Sequence, residues 1–232
     1  MKAMLLRVGI DKGTDGALGP IFDDGSFEYI PKSERERSDE DRTYRTIIGR
    51  RGHPLSLYLP NAVANRVVHY DPEFETYTYG DPTSKRKHLL KLDEEDLLVF
   101  YAGLAPFKNS RHREALYIIG YFTVSKKIDF NKLSGEEIEE AYRLYPNNAH
   151  MKKVDYSNRL VIIVGAETRS KLLPRAVLIS QKEYNKGGKP CEAVSSDMKA
   201  ALGVSGFIQR SIPPRFITNK KNIDNLRGIL GL

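Results

Sequence analysis

His69 and Asp71 stand two residues apart at the end of the strand-like run Arg66-Val67-Val68-His69. On a strand that spacing sends both side chains to one face. A carboxylate beside an imidazole orients the ring and raises its basicity, as a general base requires. The same pair can also form a plain hydrogen bond at a strand end. Asp11 and Asp15 make a second acidic pair just past the N-terminal apolar stretch, with Lys12 and Gly13 between them. Carboxylates so placed can bind a metal or exchange protons; Asp and Gly also build ordinary turns. His150 joins Asp11, His69 and Asp71 as a candidate catalytic group. No two of the five histidines stand at metal-ligand spacing, so a metal site would have to be assembled from distant loops. Cys191 is the only cysteine, which excludes an intrachain disulfide and a cysteine-rich metal centre.

The familiar cofactor and catalytic signatures are absent. There is no GxxxxGK[ST] loop, no HExxH and no GxSxG, and Gly13, Gly16 and Gly19 do not form the dinucleotide fingerprint. No cofactor is therefore named. What stands out instead is charge: the chain carries a formal net charge of +7. Basic proteins gain affinity for polyanions by releasing counterions from phosphates. Two basic clusters, Lys85-Arg86-Lys87-His88 and Arg111-His112-Arg113, fall in polar stretches where phosphates are natural partners. Dense Lys, Arg and Glu surfaces are also a habit of thermophilic proteins.

The elements that must position these groups can be read from the apolar pattern. The stretch from Met1 to Ile10 reads as a first strand, not a signal peptide. Asp24-Gly25, set between Phe22 and Phe27, predicts a tight hairpin turn. Ser33 to Arg42 is almost wholly charged and reads as a solvated loop. Asp96–Tyr101, Leu116–Val124, Leu160–Gly165 and Arg175–Ser180 are short apolar runs with the look of buried strands. Ser134 to Tyr145 is the best helix, with Ser134 and Glu137 spaced for a capping box and Pro146 as its stop. Asn222 to Ile229 reads as a closing helix. At 232 residues the chain is long enough for one domain with a real core. No run approaches the roughly 20 apolar residues of a membrane helix, and no membrane partner is expected.

The order of these segments resembles a known family. Leu5-Leu6-Arg7-Val8-Gly9-Ile10-Asp11, then Gly19-Pro20-Ile21 and Asp24-Gly25, resembles its opening. His69-Tyr70-Asp71-Pro72-Glu73-Phe74 resembles its His-x-Asp-Pro-Asp-Leu element, and Asp96-Leu97-Leu98-Val99-Phe100-Tyr101 its next strand. Tyr145–His150 with Asn158-Arg159-Leu160-Val161-Ile162, and Ile212-Pro213-Pro214-Arg215-Phe216, resemble its later segments. The family is the third type of nucleotide modification associated domain. The chain departs from its pattern where Tyr145 and Asn147 replace two histidines, where Glu95 replaces a glycine, and in having no tryptophan. The strands around Leu98-Val99-Phe100-Tyr101 and Tyr117–Val124 are also similar to the core of PUA-like and EVE-like domains, which bind modified bases.

Together these readings predict one α+β domain over residues 1–232, a mixed, β-rich curved sheet flanked by a few helices, with a PUA-like barrel as its closed form. The single cysteine fits a reducing, cytoplasmic setting; the net charge favours nucleic acid, DNA or RNA, as partner; and the resemblance implies a phage or prokaryotic protein tied to modified bases in DNA. A flipped base would stack on Tyr101. Arg7, Lys12, Arg86, Lys87, Arg111, Arg113 and Arg215 would meet the strand. The alternative is a base-modifying enzyme using Asp11, His69, Asp71 and His150.

Overall fold

The computed structural model describes residues 1–155 and 157–232. Its strands are β1 (Ala3–Arg7), β2 (Gly19–Ile21), β3 (Lys32–Ser33), β4 (Val68–His69), β5 (Thr78–Asp81), β6 (Leu97–Pro106), β7 (Ala115–Asp129), β8 (Val161–Gly165), β9 (Lys171–Leu178), β10 (Ser180–Tyr184), β11 (Pro190–Val194) and β12 (Arg215–Ile217). The helices are α1 (Lys12–Asp15), α2 (Arg86–Leu89), α3 (Gly135–Leu144), α4 (Ser196–Leu202) and α5 (Lys220–Leu230). An eight-stranded sheet runs β12-β1-β6-β7-β8-β5, with β2 also on β6 and β9 also on β7. It is mostly antiparallel; β6 pairs in parallel with β1 and β2. The sheet does not close on itself, so the barrel form expected from the PUA-like likeness is not observed. The mixed α+β class is.

The apolar runs read from sequence are the sheet's centre. β6 alternates its side chains between two cores: Leu98 and Phe100 enter one, Val99 and Tyr101 the other. The first core is aromatic, with Phe100 and Phe122 at a 4.7 Å ring separation and Phe74 edge-on to both. In the second, α4 and α5 lay Leu202, Ile223 and Leu226 against the sheet. β7 outruns its sequence pattern, continuing past Val124 to Asp129 with a register shift between Val124 and Lys126. That extension pairs with β8 and keeps Lys126 exposed, so its polar composition hides it from a search for apolar runs. The Asp24-Gly25 hairpin forms, with Gly25 at φ +80 and Phe22 N–H donating to the Ser26 carbonyl. The α3 capping box forms as spaced.

The Ser33–Arg42 segment is only partly the solvated loop expected: Arg35, Glu36, Arg37, Asp39 and Asp41 are exposed, but others are not. Ser33 and Glu40 are buried, and the Glu34 carboxylate is nearly so. Glu40 takes the Arg42 guanidinium at 2.8 Å and Lys152 Nζ at 3.1 Å, and Ser38 Oγ donates to the Lys152 carbonyl. A charged run can be interior when each charge meets its partner. Burial opposes ionisation of Glu40, but hydrogen bonds from Arg42 and Lys152 outweigh it and hold the carboxyl down to about 2, from an ordinary 4.5. A depressed carboxyl contributes stability that is present above its unfolded value and lost as pH falls through the folded one. Melting temperatures are therefore expected to fall as pH drops from about 4.5 toward 2, with Glu40 contributing roughly 2–3 kcal/mol to the loss. Glu40→Gln should be less stable at neutral pH and flatter across this window; a parallel pH profile would refute the assignment.

Candidate functional site

The site lies where β1 ends. Arg7 is its last residue, and the chain then turns through Gly9 into α1, whose N-cap is Asp11. β3 and β4 pair with Lys32 opposite His69, and this register brings Glu34, just past β3, to His69. β5 pairs with β8, placing Gly80 opposite Ile162. A short turn over Ala149–Lys152, capped by the Asn148 side chain, delivers His150. These segments enclose a cavity of about 330 Å³ whose lining includes Arg7, His69, Asp71, Lys85, His150 and Arg210. A smaller one of about 120 Å³ adjoins it, sharing Arg7, Lys85 and Arg210 and adding Lys87 and Tyr101.

His69, Asp71 and His150 are buried at 3, 7 and 8 % exposure, and one potential ligand atom of each lies within 4.8 Å of the others. The two rings meet edge-on with centroids 4.8 Å apart. His150 Nε2 is 3.7 Å from Asp71 Oδ2, and His69 Nδ1 is 2.6 Å from Glu34 Oε2. Asp71 Oδ1 accepts from Gly80 N–H at 2.9 Å and Asn148 Nδ2 at 3.1 Å. Burial, moderated by Glu34, pushes the His69 imidazole below its ordinary value. Glu34 is held down to about 2: burial opposes this, but the His69 hydrogen bond and the Glu36 and Arg35 backbone donors prevail. An ionised Glu34 fixes the proton of a neutral His69 on Nδ1, an assignment made from the hydrogen-bond partners. The Nε2 lone pair is then the ring's free one.

Gly80 has a steric reason to be glycine. A Cβ there would lie 2.7 Å from His150 Cδ2 and 2.6 Å from Ile162 Cδ1, closer than carbon atoms pack.

The cationic side is equally built. Arg210 donates to Asp11 Oδ2 and to the Gly9 carbonyl. Burial resists ionisation of Asp11, but Arg210, with Arg7 behind it, holds the carboxyl below the usual range. Arg7 Nε is buried and has no hydrogen-bond partner among the described residues. Burial, and then the neighbouring Arg210 charge, lower the Arg7 pKa. Lys85 is lowered to about 8 by burial, against the pull of Asp81, though its side chain keeps 26 % exposure; it stays mostly protonated at neutral pH.

The sequence-derived candidates thus divide. His69, Asp71, His150 and Arg7 meet in one cavity, while Asp11 caps α1 and anchors Arg210. Lys87 and Tyr101 line the adjoining cavity. Tyr101 is 3 % exposed, sits in the second core and donates its hydroxyl to the Ile208 carbonyl at 3.0 Å. Its ring is core first, with an edge toward the cavity. The other basic candidates have protein partners: Lys12 and Arg111 pair at the surface with Glu114 and Asp23, while Arg86 meets Asp129, Arg113 the Ser180 carbonyl and Arg215 the Phe207 carbonyl. Sequence reasoning missed Glu34, Asn148 and Arg210 altogether, and took Lys85 only as part of a basic cluster. Asn148 sits two residues before His150, a spacing that could have suggested a capped turn. Arg210 carries no local signal.

Among the described residues, no helix is long and apolar enough to cross a membrane. A family model described as nucleotide modification associated domain 3 matches residues 2–200. That stretch contains Arg7, Glu34, His69, Asp71, Lys85 and His150 and stops short of Arg210. No curated protein and no solved structure matches the chain.

Proposed function

Since the chain belongs to the nucleotide modification associated domain 3 family, we propose that the cavity takes a nucleotide of DNA and acts on its base. Arg7, Lys85 and Arg210 hold the phosphate, and the base meets His69, Asp71 and His150. The observation that carries this reading is the juxtaposition itself: Arg7, Lys85 and Arg210, among the six cationic side chains that line the cavity, share it with three buried proton-handling or lone-pair groups. Arg7 supports the first half, because a buried guanidinium nitrogen without a partner is costly unless an anion meets it. The convergent imidazoles and carboxylate support the second, because such groups are gathered at a cost that chemistry repays. A base inside a duplex cannot reach them, so the target is single-stranded or flipped.

A binding-only site for a modified base is the second reading. It is favoured by the adjoining cavity, where Leu6, Tyr101, Pro213 and Pro214 offer apolar surface beside the same cations. The two readings part on base conversion: the chain should convert the base only in the first, and His150→Ala should then abolish that conversion.

The test is competition for a labelled single-stranded oligodeoxynucleotide across a salt series. Binding should weaken steeply with salt, and deoxynucleoside monophosphates should compete where the matching nucleosides do not. Absence of binding at low salt, or equal competition by nucleosides, overturns the phosphate assignment. Tighter binding of the RNA oligonucleotide would move the partner from DNA to RNA.

A further inference from the structure

We propose that His69, Asp71 and His150 bind one divalent first-row transition ion. Their potential ligand atoms lie within 4.8 Å of one another, and all three residues are buried. His150 Nε2 and Asp71 Oδ2 stand 3.7 Å apart, too far to satisfy each other by a hydrogen bond. That gap is close to the roughly 3.3 Å that separates two ligands of a tetrahedral ion with bonds near 2.0–2.1 Å.

Two of the three ligand side chains are held from behind, as metal ligands usually are. Glu34 takes the Nδ1 side of His69 at 2.6 Å, leaving Nε2. Gly80 N–H and Asn148 Nδ2 take Asp71 Oδ1, leaving Oδ2. Asn148 is itself fixed: its Nδ2 also donates to Thr78 Oγ1 at 3.0 Å, and its Oδ1 accepts from His150 N–H at 2.9 Å. One side chain thus holds the Asp71 carboxylate and the backbone that carries His150. Two imidazole nitrogens and one carboxylate oxygen suit zinc, iron, cobalt or manganese and disfavour the oxygen-seeking Mg²⁺ and Ca²⁺. Three protein ligands leave coordination open toward the cavity, the arrangement of a reactive rather than a structural ion. The cations Arg7, Lys85 and Arg210 line the same cavity without competing for the ion. The proposal goes beyond the nucleotide reading and does not depend on it, since ion binding is measured without nucleotide.

The full chain is stripped with a chelator, confirmed folded by circular dichroism, and titrated with Zn²⁺ by calorimetry and with Co²⁺ by visible absorption. One equivalent of each should bind, Co²⁺ should develop ligand-field bands, and excess Mg²⁺ should not displace either. Asp71→Asn keeps an acceptor for Gly80 and Asn148 but turns an amide toward the ion; it should retain the melting temperature and lose binding at least ~100-fold. Glu34→Gln should weaken binding by roughly 10–100-fold. His53→Ala and Cys191→Ser, which alter an exposed histidine and the free thiol, should leave binding unchanged. Failure of the folded wild-type chain to bind Zn²⁺ or Co²⁺, or undiminished binding by a folded Asp71→Asn, overturns the site.

Discussion

Glu73→Ala is expected to destabilise the chain by roughly 3–5 kcal/mol, the scale of a broken buried polar network. Glu73 is wholly buried, and its carboxylate organises the loop between Asp71 and β5. Oε2 accepts from Glu75 and Thr76 N–H, both at 2.8 Å. Oε1 accepts from Thr76 Oγ1 at 2.6 Å and from Thr78 N–H and Oγ1 at 2.8 Å each. Truncation strands three backbone donors, and a stranded buried donor costs about 1–3 kcal/mol. Water can reach the outer two, which keeps the sum below three full penalties. The same loop holds Tyr77 at φ 56, a conformation that a non-glycine residue adopts only when its surroundings insist. It also aims Phe74 at Phe100 and Phe122. Glu73→Gln keeps one acceptor oxygen and turns its amide group toward backbone donors, so its loss should be smaller, about 1–3 kcal/mol. Urea unfolding of the three proteins checks both values. A loss below about 1 kcal/mol for Ala would mean that water replaces the carboxylate and that the loop stands without it.

Glu73 shows where sequence reading stopped. Its position within His69-Tyr70-Asp71-Pro72-Glu73-Phe74 could be seen as part of a segment, but nothing local says that five donors converge on it. The strands were legible because burial on both faces leaves continuous apolar runs, as in Leu97–Tyr101 and Val161–Ile163. α3 was legible because a capping box is written in two residues at fixed spacing. His69 and Asp71 were legible as a pair because strand alternation is local. Their union with His150 and Glu34 was not, since it depends on pairing β3 with β4 and on a turn some eighty residues downstream. Net charge alone could not tell which cations already have a protein partner: Arg86 and Arg111 are basic in sequence, and each pairs with a carboxylate in the fold. Lys85 of the basic cluster lines the cavity, but Arg7 and Arg210, with no cluster to advertise them, line it as well.

Arg7→Met should hold or raise thermal stability while lowering oligonucleotide affinity by roughly 10–100-fold. Arg7 sits opposite Tyr101 in the β1–β6 register, on the strand face whose other members, Ala3 and Leu5, are core. Its Nε is buried without a partner among the described residues, and Arg210 stands close enough to repel it. A cation in that position is a net cost to the folded state. Methionine matches the length of the apolar stem, adapts to the gap and removes both penalties. The bound state weighs the other way. A charge-assisted hydrogen bond to phosphate is worth about 1.5–3 kcal/mol, and each 1.4 kcal/mol is a factor of ten in affinity. Loss of one phosphate contact should also lower the salt slope by about one unit. Arg7→Lys keeps the charge but not the planar fork, and should fall between the two. Melting curves and binding isotherms on the same preparations separate the cases. A destabilised Met variant would make Arg7 a structural residue, and a stable one with unchanged affinity would place the phosphate elsewhere. Stability gained and binding lost together are what a strained cation kept for a ligand requires.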